Sequence, residues 1–422
     1  MHETKFAIVI ISNGPGELST WVKPLVEELH SKLDLKPIYE KSPISINLVL
    51  VPCPNATGKE KFAAQNWGIF EKIISAKNFW QLLLRPKKYA SWPSKGLVIF
   101  LGGDQFWSVL LSARLKYRHI TYAEWVARWP FWNDRILAMS EKVLFKVPKK
   151  LRDRCNVVGN LMADINRNSK KKINLPEGRW IALMPGSKSA KLRIGIPFFL
   201  EVADKLSQII PECKFLLPIA PTTNIKELLH YGGPQNAIAK NYTSSIKKVA
   251  KAKDAYKLIK LTTNKETDIY LQEDYPAYEN ISNCELALTT IGANTAELGA
   301  LAVPMIVVVP TQHLSVMQAW DGFIGVIARL PLLKSLLGRL LSYFRLRKGQ
   351  YMAWPNISSK KMIVPERIGN ILPEHIAKEA SELLVNTNRL ESQKENLIRM
   401  RGKTGAVSKM AREIIKLINY LE

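Results

Sequence analysis

The 422-residue sequence lacks any run of apolar residues long enough to form a membrane-spanning helix, which needs about 20. Its first apolar run, Phe6–Ile11, is also too short for the core of a secretion signal, and a Gly14-Pro15-Gly16 turn follows it. These absences exclude an integral helical membrane protein. Any membrane contact is therefore expected to be peripheral.

Cysteine is scarce and scattered. No two cysteines form a Cys-x-x-Cys pair, which argues against a zinc ribbon or a redox motif. They are expected to be buried free thiols in a reducing cytoplasm: Cys53, Cys155, Cys213 and Cys284. We expect no bound metal.

Acidic residues are few beside the basic ones. The chain has 36 Asp and Glu against 61 Lys and Arg, a formal net charge of +25. Such an excess favours nucleic acid, anionic lipid or phosphorylated substrates. No nucleic-acid-binding signature accompanies it, and the basic residues are spread along the chain, so we predict no nucleic-acid partner. A nucleic-acid-binding protein stays open as the alternative that charge alone suggests.

What is present is an alternation of short β-branched runs with helical patterns, typical of the α/β class. Phe6–Ile11 predicts a buried parallel strand, a turn follows, and Leu18–Leu33 predicts a helix. The alternation restarts in the second half, which predicts two Rossmann-like doubly wound domains. The other predicted strands are Ile46–Val51, Leu97–Leu101, His119–Tyr122, Trp180–Met184, Lys214–Pro218, Leu258–Leu261, Leu286–Thr289 and Met305–Val309.

The composition predicts the domain boundaries. Residues 1–165 form an N-terminal domain, and the polar, basic segment 166–179 forms a linker. Residues 180–402 form a C-terminal domain whose segment 319–349 is a basic apolar insert. Residues 403–422 form an amphipathic helix, expected to pack back on the N-terminal domain.

The first motif with chemical potential is Pro185-Gly186-Ser187-Lys188, directly after a predicted strand. A glycine turn before a helix exposes backbone N–H groups that favour a phosphate. Ser187 adds a hydroxyl and Lys188 a positive charge. An ordinary strand-to-helix turn is the alternative.

The second motif begins with the strand Leu286–Thr289 and leads through a loop of small residues into a helix. Gly292 lets a ligand approach the backbone, and Asn294 or Thr295 is expected to cap the helix. Glu297 in the first turn could accept hydrogen bonds from a ribose diol. Alternatively, Glu297 completes a capping box with Asn294, and both roles are compatible.

The third motif joins Trp354-Pro355-Asn356-Ile357 to Val364-Pro365-Glu366-Arg367. Turn residues bracket short apolar runs in both segments. Asn356 and Glu366 could therefore line a binding cleft. A pair of surface loops is the alternative.

Four segments together resemble one family, in that family's order along the chain. They are Val157–Asp164 (a Gly-His-x-Met-Ala-Asp type run), Ile181–Lys188 (LLPGSR), Gly292–Pro304 (SGTATLEAALxxxPM) and Pro355–Glu366 (PNLLAGRELVPE). The family is that of the lipid-A-disaccharide synthases, and the matches span most of the chain.

The resemblance implies a GT-B fold, with two Rossmann-like domains facing across a cleft. It implies an inverting transfer from a UDP-sugar to a lipid-linked acceptor, without metal and with no cofactor beyond the UDP-sugar co-substrate. The C-terminal domain would bind the donor, with Ser187, Glu297 and Asn356 at the nucleotide or its phosphates. Lys188 and the N–H groups from Gly292 to Thr295 would hold the diphosphate.

A second resemblance is to the peptidoglycan N-acetylglucosamine transferases. It lies in Pro310-Thr311-Gln312-His313, followed by Gln318 and Trp320. It implies that Gln318 touches the donor sugar.

The chain departs from the synthase pattern on the acceptor side. The synthase loop GExSGD is here Ser12-Asn13-Gly14-Pro15-Gly16-Glu17, so Asn13, Gly14 and Gly16 are the predicted acceptor loop. The family's proposed base, an Asp in a D-x-P-D-F context, faces Leu101–Phe106 here, and its His is replaced by Asn160. These departures therefore leave open whether the acceptor is a lipid A precursor.

Inverting transfer needs a base for the acceptor hydroxyl. Asp104 is the first prediction, because it lies just past the carboxyl end of a strand, where open α/β sheets place ligands. Glu17, on the equivalent loop of the first strand, is the second. For each, a helix cap or a surface carboxylate is the alternative.

Tryptophan is concentrated in the N-terminal domain, which holds eight of the 11. Tryptophan favours the membrane–water boundary, and 79–92 and 319–349 combine apolar with basic residues as interfacial helices do. We expect a cytoplasmic protein, peripheral on the inner face of a membrane, although most individual tryptophans should be core. A homodimer, a sugar-nucleotide epimerase and a non-catalytic scaffold stay open.

Overall fold

A computed structural model describes residues 5–35, 43–52, 60–165, 175–220, 223–251, 258–310, 312 and 351–421. The chain divides into two compact units. The first unit is Met1–Asn168 with Gly402–Glu422, and the second is Ser169–Arg401. Most of the predicted linker and the whole predicted insert 319–349 lie outside the described residues.

The first unit is built on a seven-stranded sheet in the order β3-β2-β1-β4-β5-β6-β7, with every neighbouring pair parallel. The direction of strand order reverses between β1 and β4, the place where doubly wound sheets bind ligands. The strands are β1 Phe6–Ser12, β2 Ile44–Leu50, β3 Lys72–Ile74, β4 Lys95–Phe100, β5 Arg118–Ala123, β6 Arg135–Ala138 and β7 Cys155–Val157.

Helices cover the faces of this sheet, which is why β1 and β2 are buried along their whole length. The α-helices are Pro15–Glu17, Lys23–Lys32, Glu60–Gln65, Phe79–Leu84, Pro86–Tyr89, Gln105–Leu115, Glu141–Lys146 and Ala406–Leu421. A π-helix covers Leu18–Val22, and 3-10 helices cover Ala76–Asn78, Pro130–Trp132, Lys149–Arg154 and Leu161–Asp164.

The last helix, Ala406–Leu421, packs within the first unit. The buried carboxylate of Asp164 accepts hydrogen bonds from Gly405 N at 2.7 Å and Val407 N at 2.8 Å, at the start of that helix. Its apolar face then joins the core through Met410 and Ile414, four residues apart on one side of the helix.

The second unit contains an eight-stranded sheet in the order β10-β11-β12-β9-β8-β13-β14-β15. Its strands from β12 to β15 in that order are parallel, whereas the β10–β11 and β11–β12 pairs are antiparallel. The strands are β8 Arg179–Met184, β9 Cys213–Pro218, β10 Ile246–Lys251, β11 Ile259–Thr263, β12 Asp268–Gln272, β13 Leu286–Thr289, β14 Met305–Pro310 and β15 Glu366–Gly369.

The core of the second unit forms between this sheet and its longest described helix, Ser189–Ile209, most of whose apolar residues are buried. The other described α-helices are Ile225–Gly232, Tyr278–Ser282, Ala293–Leu301, Trp354–Ser359, Pro373–Val385 and Thr387–Arg401, and Ala239–Asn241 is a 3-10 helix. Throughout the described ranges, no helix combines the length and the apolar character needed to cross a membrane.

All nine predicted strands are present, each with ends within two residues of the prediction. The helix predicted over Leu18–Leu33 is present, but its first turn, Leu18–Val22, is a π-helix and the α-helix begins at Lys23. Pro24 has no N–H to donate to Thr20 O, which favours the wider turn. The Thr20 hydroxyl meanwhile donates to Gly16 O at 2.8 Å.

Candidate functional site

Two neighbouring strands of the second unit bring two of the predicted motifs together. Met184, the last residue of β8, pairs with Thr289, the last residue of β13. The segments that follow therefore leave the same edge of the sheet side by side. We call residues 184–191 and 289–297 the donor loops.

Side chains tie the donor loops to each other. Thr290 Oγ1 donates to Pro185 O at 3.0 Å, and Asn294 Nδ2 donates to Met184 O at 3.1 Å. The ammonium group of the buried Lys191 donates to Ile291 O at 2.8 Å. The sequence interpretation missed Lys191, although a lysine in the first turn of a helix after a glycine turn is a usable signal.

Glycine is required at the centre of this contact. Gly292 has φ +135° and ψ −157°, a backbone conformation almost restricted to glycine. A Cβ atom there would lie 2.7 Å from Lys191 Nζ. Gly186 has φ +101°, and a Cβ atom there would lie 2.8 Å from Lys191 Cδ. Both glycines therefore let the backbone approach the lysine closely.

Glu297 is buried in the helix Ala293–Leu301, one turn beyond its start and not in the first turn that the sequence predicted. Burial raises the pKa of its carboxyl to about 7, and a hydrogen bond donated by Tyr278 Oη at 3.3 Å opposes part of that rise. The predicted capping box is wrong, since Gly292 is the N-cap and no side chain caps the helix. The Asn294 side chain turns instead to Met184 O.

Thr295 also does not cap the helix Ala293–Leu301. Its hydroxyl donates to Gly292 O at 2.9 Å and accepts from Trp354 N at 3.1 Å. It therefore fixes the third predicted motif against the donor loops.

Ser187 and Lys188 lie half-buried at the start of the helix Ser189–Ile209, where Lys188 occupies the N-cap position. The first turn of this helix therefore begins within the donor loop 184–191, which the hydrogen bonds of Thr290 and Lys191 hold in place. A helix N-terminus of this kind attracts anions.

Asn356 is fully buried, and its amide holds the loop before β15. Its Oδ1 accepts from Ile363 N and Val364 N, while its Nδ2 donates to Val364 O and Glu366 Oε1. Glu366 also accepts from Met352 N and Ala353 N. In this structure both side chains position backbone, and donor contact by either one stays a prediction.

Strand register places Glu366 level with the donor loops. Val307 of β14 pairs with Thr289 on one side and with Glu366 on the other. The third motif therefore lies at the same height of the sheet as the first two. Gln318, the remaining predicted donor residue, lies outside the described residues.

The predicted acceptor side lies in the first unit, where the segments after β1, β4 and β5 touch one another. A Cβ atom on Gly102 would lie 2.9 Å from Ser12 Oγ and 3.2 Å from Glu17 Cβ, so the segment after β4 packs against the segment after β1. Gln105 joins it to the segment after β5, donating to Val126 O at 3.0 Å and accepting from Arg128 N at 2.6 Å.

Asp104 is the N-cap of the helix Gln105–Leu115, and its Oδ1 accepts from Phe106 N at 2.9 Å. Its side chain is exposed. The capping role that the sequence left open is therefore present, and a role as base stays a prediction.

Two half-buried glutamates lie on the segments beside it. Burial raises the pKa of Glu17, and burial followed by the charge of Glu17 raises the pKa of Glu124 to about 7. The Trp125 side chain hydrogen-bonds the Glu124 carboxyl, which opposes part of the rise. The sequence interpretation missed Glu124, although it directly follows β5, as Asp104 follows β4.

The loop predicted to meet the acceptor also holds polar atoms that lack hydrogen bonds within the described residues. They are Ser12 Oγ, on a side chain that is 0% exposed, and Asn13 Oδ1. Gly14 is buried and Gly16 half-buried beside them. Buried polar groups of this kind are uncommon and indicate a place for a water or a ligand.

The expectation that most tryptophans of the N-terminal domain are core residues is wrong, because all eight are half-buried or exposed. Five aromatic side chains form a continuous row of edge or tilted ring contacts, with ring centroids 5.1–5.8 Å apart. We call this row the aromatic surface: Trp80, Trp107, Phe106, Trp129 and Trp132. One basic side chain lies near, since Lys150 Nζ is 4.8 Å from the ring of Phe131, which lies between Trp129 and Trp132 in the chain.

Across the part of the chain that the structure describes, no three His, Cys, Asp or Glu side chains form a group able to hold a metal ion. Cys155, Cys213 and Cys284 are buried free thiols, and Cys53 lies outside the described residues.

Sequence comparison finds lipid-A-disaccharide synthases among the relatives of this chain, while no protein-family profile matches. The chain is 25% identical to a lipid-A-disaccharide synthase of Sulfurihydrogenibium over 62% of its length, and 26% identical to one of Anaeromyxobacter (strain K) over 58%. It is 23% identical to one of Blochmanniella pennsylvanica over 69%. The matches cover 58%, 51% and 66% of those relatives, so the chain spans about half to two thirds of their length.

Structure comparison supports the fold. A protein described as a UDP-N-acetylglucosamine 2-epimerase of Listeria monocytogenes matches with a TM-score of 0.55 at 12% identity, over 99% of this chain and 98% of that one. A UDP-GlcNAc 2-epimerase of Neisseria meningitidis bound to UDP-GlcNAc matches with a TM-score of 0.51 at 10% identity, over 97% and 100%. With the two sheets, these matches confirm the predicted fold class, two Rossmann-like domains of the GT-B type.

Proposed function

Because this chain is a divergent relative of the lipid-A-disaccharide synthases, we propose that it is an inverting glycosyltransferase. It moves a sugar from a UDP-sugar to a lipid-linked acceptor. The observation that carries the proposal is the joining of the donor loops at the carboxyl ends of β8 and β13, with Glu297 buried in the helix that follows.

In this proposal the donor loops bind the nucleotide diphosphate. Two helices begin there, at Ser189 and Ala293, and helix starts offer N–H groups and a positive dipole end to a phosphate. Ser187 and Lys188 add a hydroxyl and a charge at the first of them, and Lys191 keeps the two loops together. The ionised carboxylate of Glu297 accepts hydrogen bonds from the ribose hydroxyls.

Asn356 and Glu366 act on this site by holding the segment that packs on the helix Ala293–Leu301, through the Thr295 to Trp354 hydrogen bond. Asp104 and Glu17 are the carboxylates predicted to serve the acceptor hydroxyl. The reaction as proposed needs neither a metal nor a further cofactor.

We place the lipid end of the acceptor, and a peripheral contact with a cytoplasmic membrane face, at the aromatic surface. Trp80 is 49% exposed and Trp132 58% exposed, and indole rings favour the membrane boundary. The net charge of +25 favours anionic headgroups over neutral ones.

The test is a thermal-shift screen of the full chain against UDP-, GDP-, ADP- and CMP-sugars, followed by assays of UDP release with lipid-linked sugar acceptors. The proposal predicts that UDP-sugars raise the melting temperature most, and that UDP is released only when an acceptor is present. If the protein instead alters UDP-GlcNAc without an acceptor, as seen by NMR of the free nucleotide sugar, it is an epimerase. If no sugar nucleotide binds, the enzyme assignment is wrong.

A further inference from the structure

The sheet edge of the first unit holds a carboxylate to which neither the motifs nor the family resemblance assigns a role. Glu124 is the first residue after β5, Asp104 follows β4 and Glu17 follows β1. These strands are successive neighbours in the order β1-β4-β5, at the point where the strand order reverses. Ligands of doubly wound sheets bind at this point, outside the carboxyl ends of the strands.

Contacts show that the three segments form one surface. Gly102 packs against Ser12 and Glu17, and Gln105 bridges to Val126 and Arg128. Glu124 lies two residues before Val126 on the bridged segment. Its carboxyl is held by the Trp125 side chain and feels the charge of Glu17.

A second observation points to a ligand at this place. Ser12 Oγ is completely buried and has no hydrogen-bond partner among the residues described, and Asn13 Oδ1 beside it also lacks one. Both atoms lie next to Gly102. A Cβ atom on Gly102 would be 2.9 Å from Ser12 Oγ, 3.1 Å from Asn13 Oδ1 and 3.2 Å from Glu17 Cβ. A hydroxyl-bearing ligand would supply the missing hydrogen bonds.

The π-helix Leu18–Val22 directly follows Glu17. Such a wide turn is costly and is found often at functional sites. It continues from the turn that holds the Glu17 carboxyl beside Gly14. This turn therefore fixes the Glu17 carboxyl beside Gly14, on the segment that Gly102 packs against.

We propose that Glu124 accepts the proton of the acceptor hydroxyl, and that Glu17 is the positioning residue beside it. The inference rests on the proposed glycosyl transfer. The acceptor O–H bond breaks and its proton goes to a Glu124 carboxylate oxygen. The freed electron pair forms the new bond from the acceptor oxygen to the anomeric carbon. The bond from that carbon to the diphosphate breaks, and its electron pair leaves with the nucleoside diphosphate.

Asp104 is less suited to this step. It is exposed, and its carboxylate already accepts the Phe106 N–H as the N-cap of the helix Gln105–Leu115. Glu124 is half-buried and faces a like charge, so its pKa of about 7 is close to that of an efficient base at neutral pH.

The first test compares UDP release by the wild type, Glu124→Gln and Glu141→Gln. Glu141 is an exposed glutamate of the same unit, so Glu141→Gln is the matched control. Removing the base should lower kcat by about 100-fold or more, with UDP affinity unchanged and the control at wild-type activity. If Glu124→Gln keeps full activity, or if Asp104→Asn alone abolishes turnover, the inference is wrong.

The second test needs no acceptor. In protein labelled with ¹³C at the glutamate carboxyl carbon, the signal lost in Glu124→Gln identifies Glu124. It should titrate near pH 7 in the wild type and at lower pH in Glu17→Gln, because the like charge is gone. Titration at the ordinary pH of a glutamate overturns the inference. Titration near pH 7 in a wild type that transfers no sugar to any acceptor would instead contradict the proposed function.

Discussion

The carboxyl edges of the two sheets have the same strand-to-helix architecture, but their polar side chains differ in how fully they are hydrogen-bonded. In the second unit, the side chains of Thr290, Asn294 and Lys191 each donate to a backbone carbonyl of the facing donor loop, at 2.8–3.1 Å. In the first unit, Ser12 Oγ and Asn13 Oδ1 lack partners among the described residues, and two carboxyls repel each other. The first arrangement favours a fixed shape and the second favours reactivity.

This difference fits a division between binding and chemistry. A donor site whose loops are already tied together loses little conformational entropy when a ligand arrives. Polar atoms left without partners destabilise the folded chain until a ligand satisfies them. Glu297 is the exception in the second unit, because it is a buried carboxyl with a raised pKa. It is therefore the residue at which the comparison can be tested most sharply.

The largest effect expected in the second unit is on stability. The ordinary pKa of 4.5 for Glu297 rises to about 7 in the folded chain, so folding favours the protonated form. The contribution of this carboxyl to the free energy of unfolding is fully present below pH 4.5. It is lost as the pH rises through about 7, and it amounts to about 3 kcal/mol in all. Glu297→Gln should therefore gain stability over the wild type as pH rises from 4 to 8, measured by urea denaturation at several pH values.

Glu382→Gln is the control for that measurement, since Glu382 is exposed on the helix Pro373–Val385. Its stability difference from the wild type should not change with pH. A Glu297→Gln difference that is equally flat would show that Glu297 is not held in a desolvated site.

The next effect is on donor binding. Glu297→Ala removes the carboxylate proposed to accept the ribose hydroxyls, so UDP affinity should fall by about 30-fold, or roughly 2 kcal/mol. Titration calorimetry with UDP measures this, with Glu382→Ala as the matched change. Binding should also weaken in the wild type as pH falls below about 7, where Glu297 takes up its proton. Unchanged affinity would remove Glu297 from the donor site and weaken the whole assignment.

The fold was predictable because its signals are local. Buried parallel strands such as β1 and β13 are continuous apolar runs, and the sequence predicted both within a residue of their ends. β10 has the sequence IKKVAK and is mostly half-buried or exposed, so it gives no such signal. The antiparallel β10–β11–β12 edge depends on pairing between strands, which local patterns do not reveal.

The site was predictable only in part, for a related reason. Glu297 and Asn294 have capping-box spacing, but Tyr278 and Met184 compete for their side chains from other segments. The Lys191 side chain is positioned by its hydrogen bond to Ile291 O, which lies 100 residues away in the chain. Glu124 could have been found, because the rule that selected Asp104 after β4 applies equally to the residue after β5.

Two glycines allow a smaller and more specific test of the donor loops. Gly292 and Gly369 have nearly equal φ angles, +135° and +137°, but a methyl group added at Gly292 would meet Lys191 Nζ, whereas one added at Gly369 would have no described neighbour within 4 Å. Each change to Ala should lower stability by about 1–2 kcal/mol through backbone strain. Gly292→Ala alone should also weaken UDP binding about fivefold, near 1 kcal/mol, because it pushes Lys191 away from Ile291 O.

Urea denaturation and UDP titration of both glycine variants separate strain from contact. Equal losses of UDP affinity in Gly292→Ala and Gly369→Ala would mean that the variants act through general destabilisation. In that case the close joining of the donor loops would not be what binds the nucleotide.

The smallest expected effect concerns the aromatic surface. Trp132→Ser should lower binding to vesicles that contain anionic lipid by several-fold, about 1 kcal/mol, since one interfacial indole is lost. Tyr420→Ser is the control, because Tyr420 is 82% exposed on the last helix of the same unit and outside the aromatic surface. Vesicle sedimentation at low and high salt measures both variants. A loss confined to Trp132→Ser would place lipid on the unit that carries Glu17 and Glu124, near the carboxyl ends of β1, β4 and β5. An equal loss in both variants would mean that the aromatic row is not the membrane contact, and that the acceptor reaches Glu124 by another route.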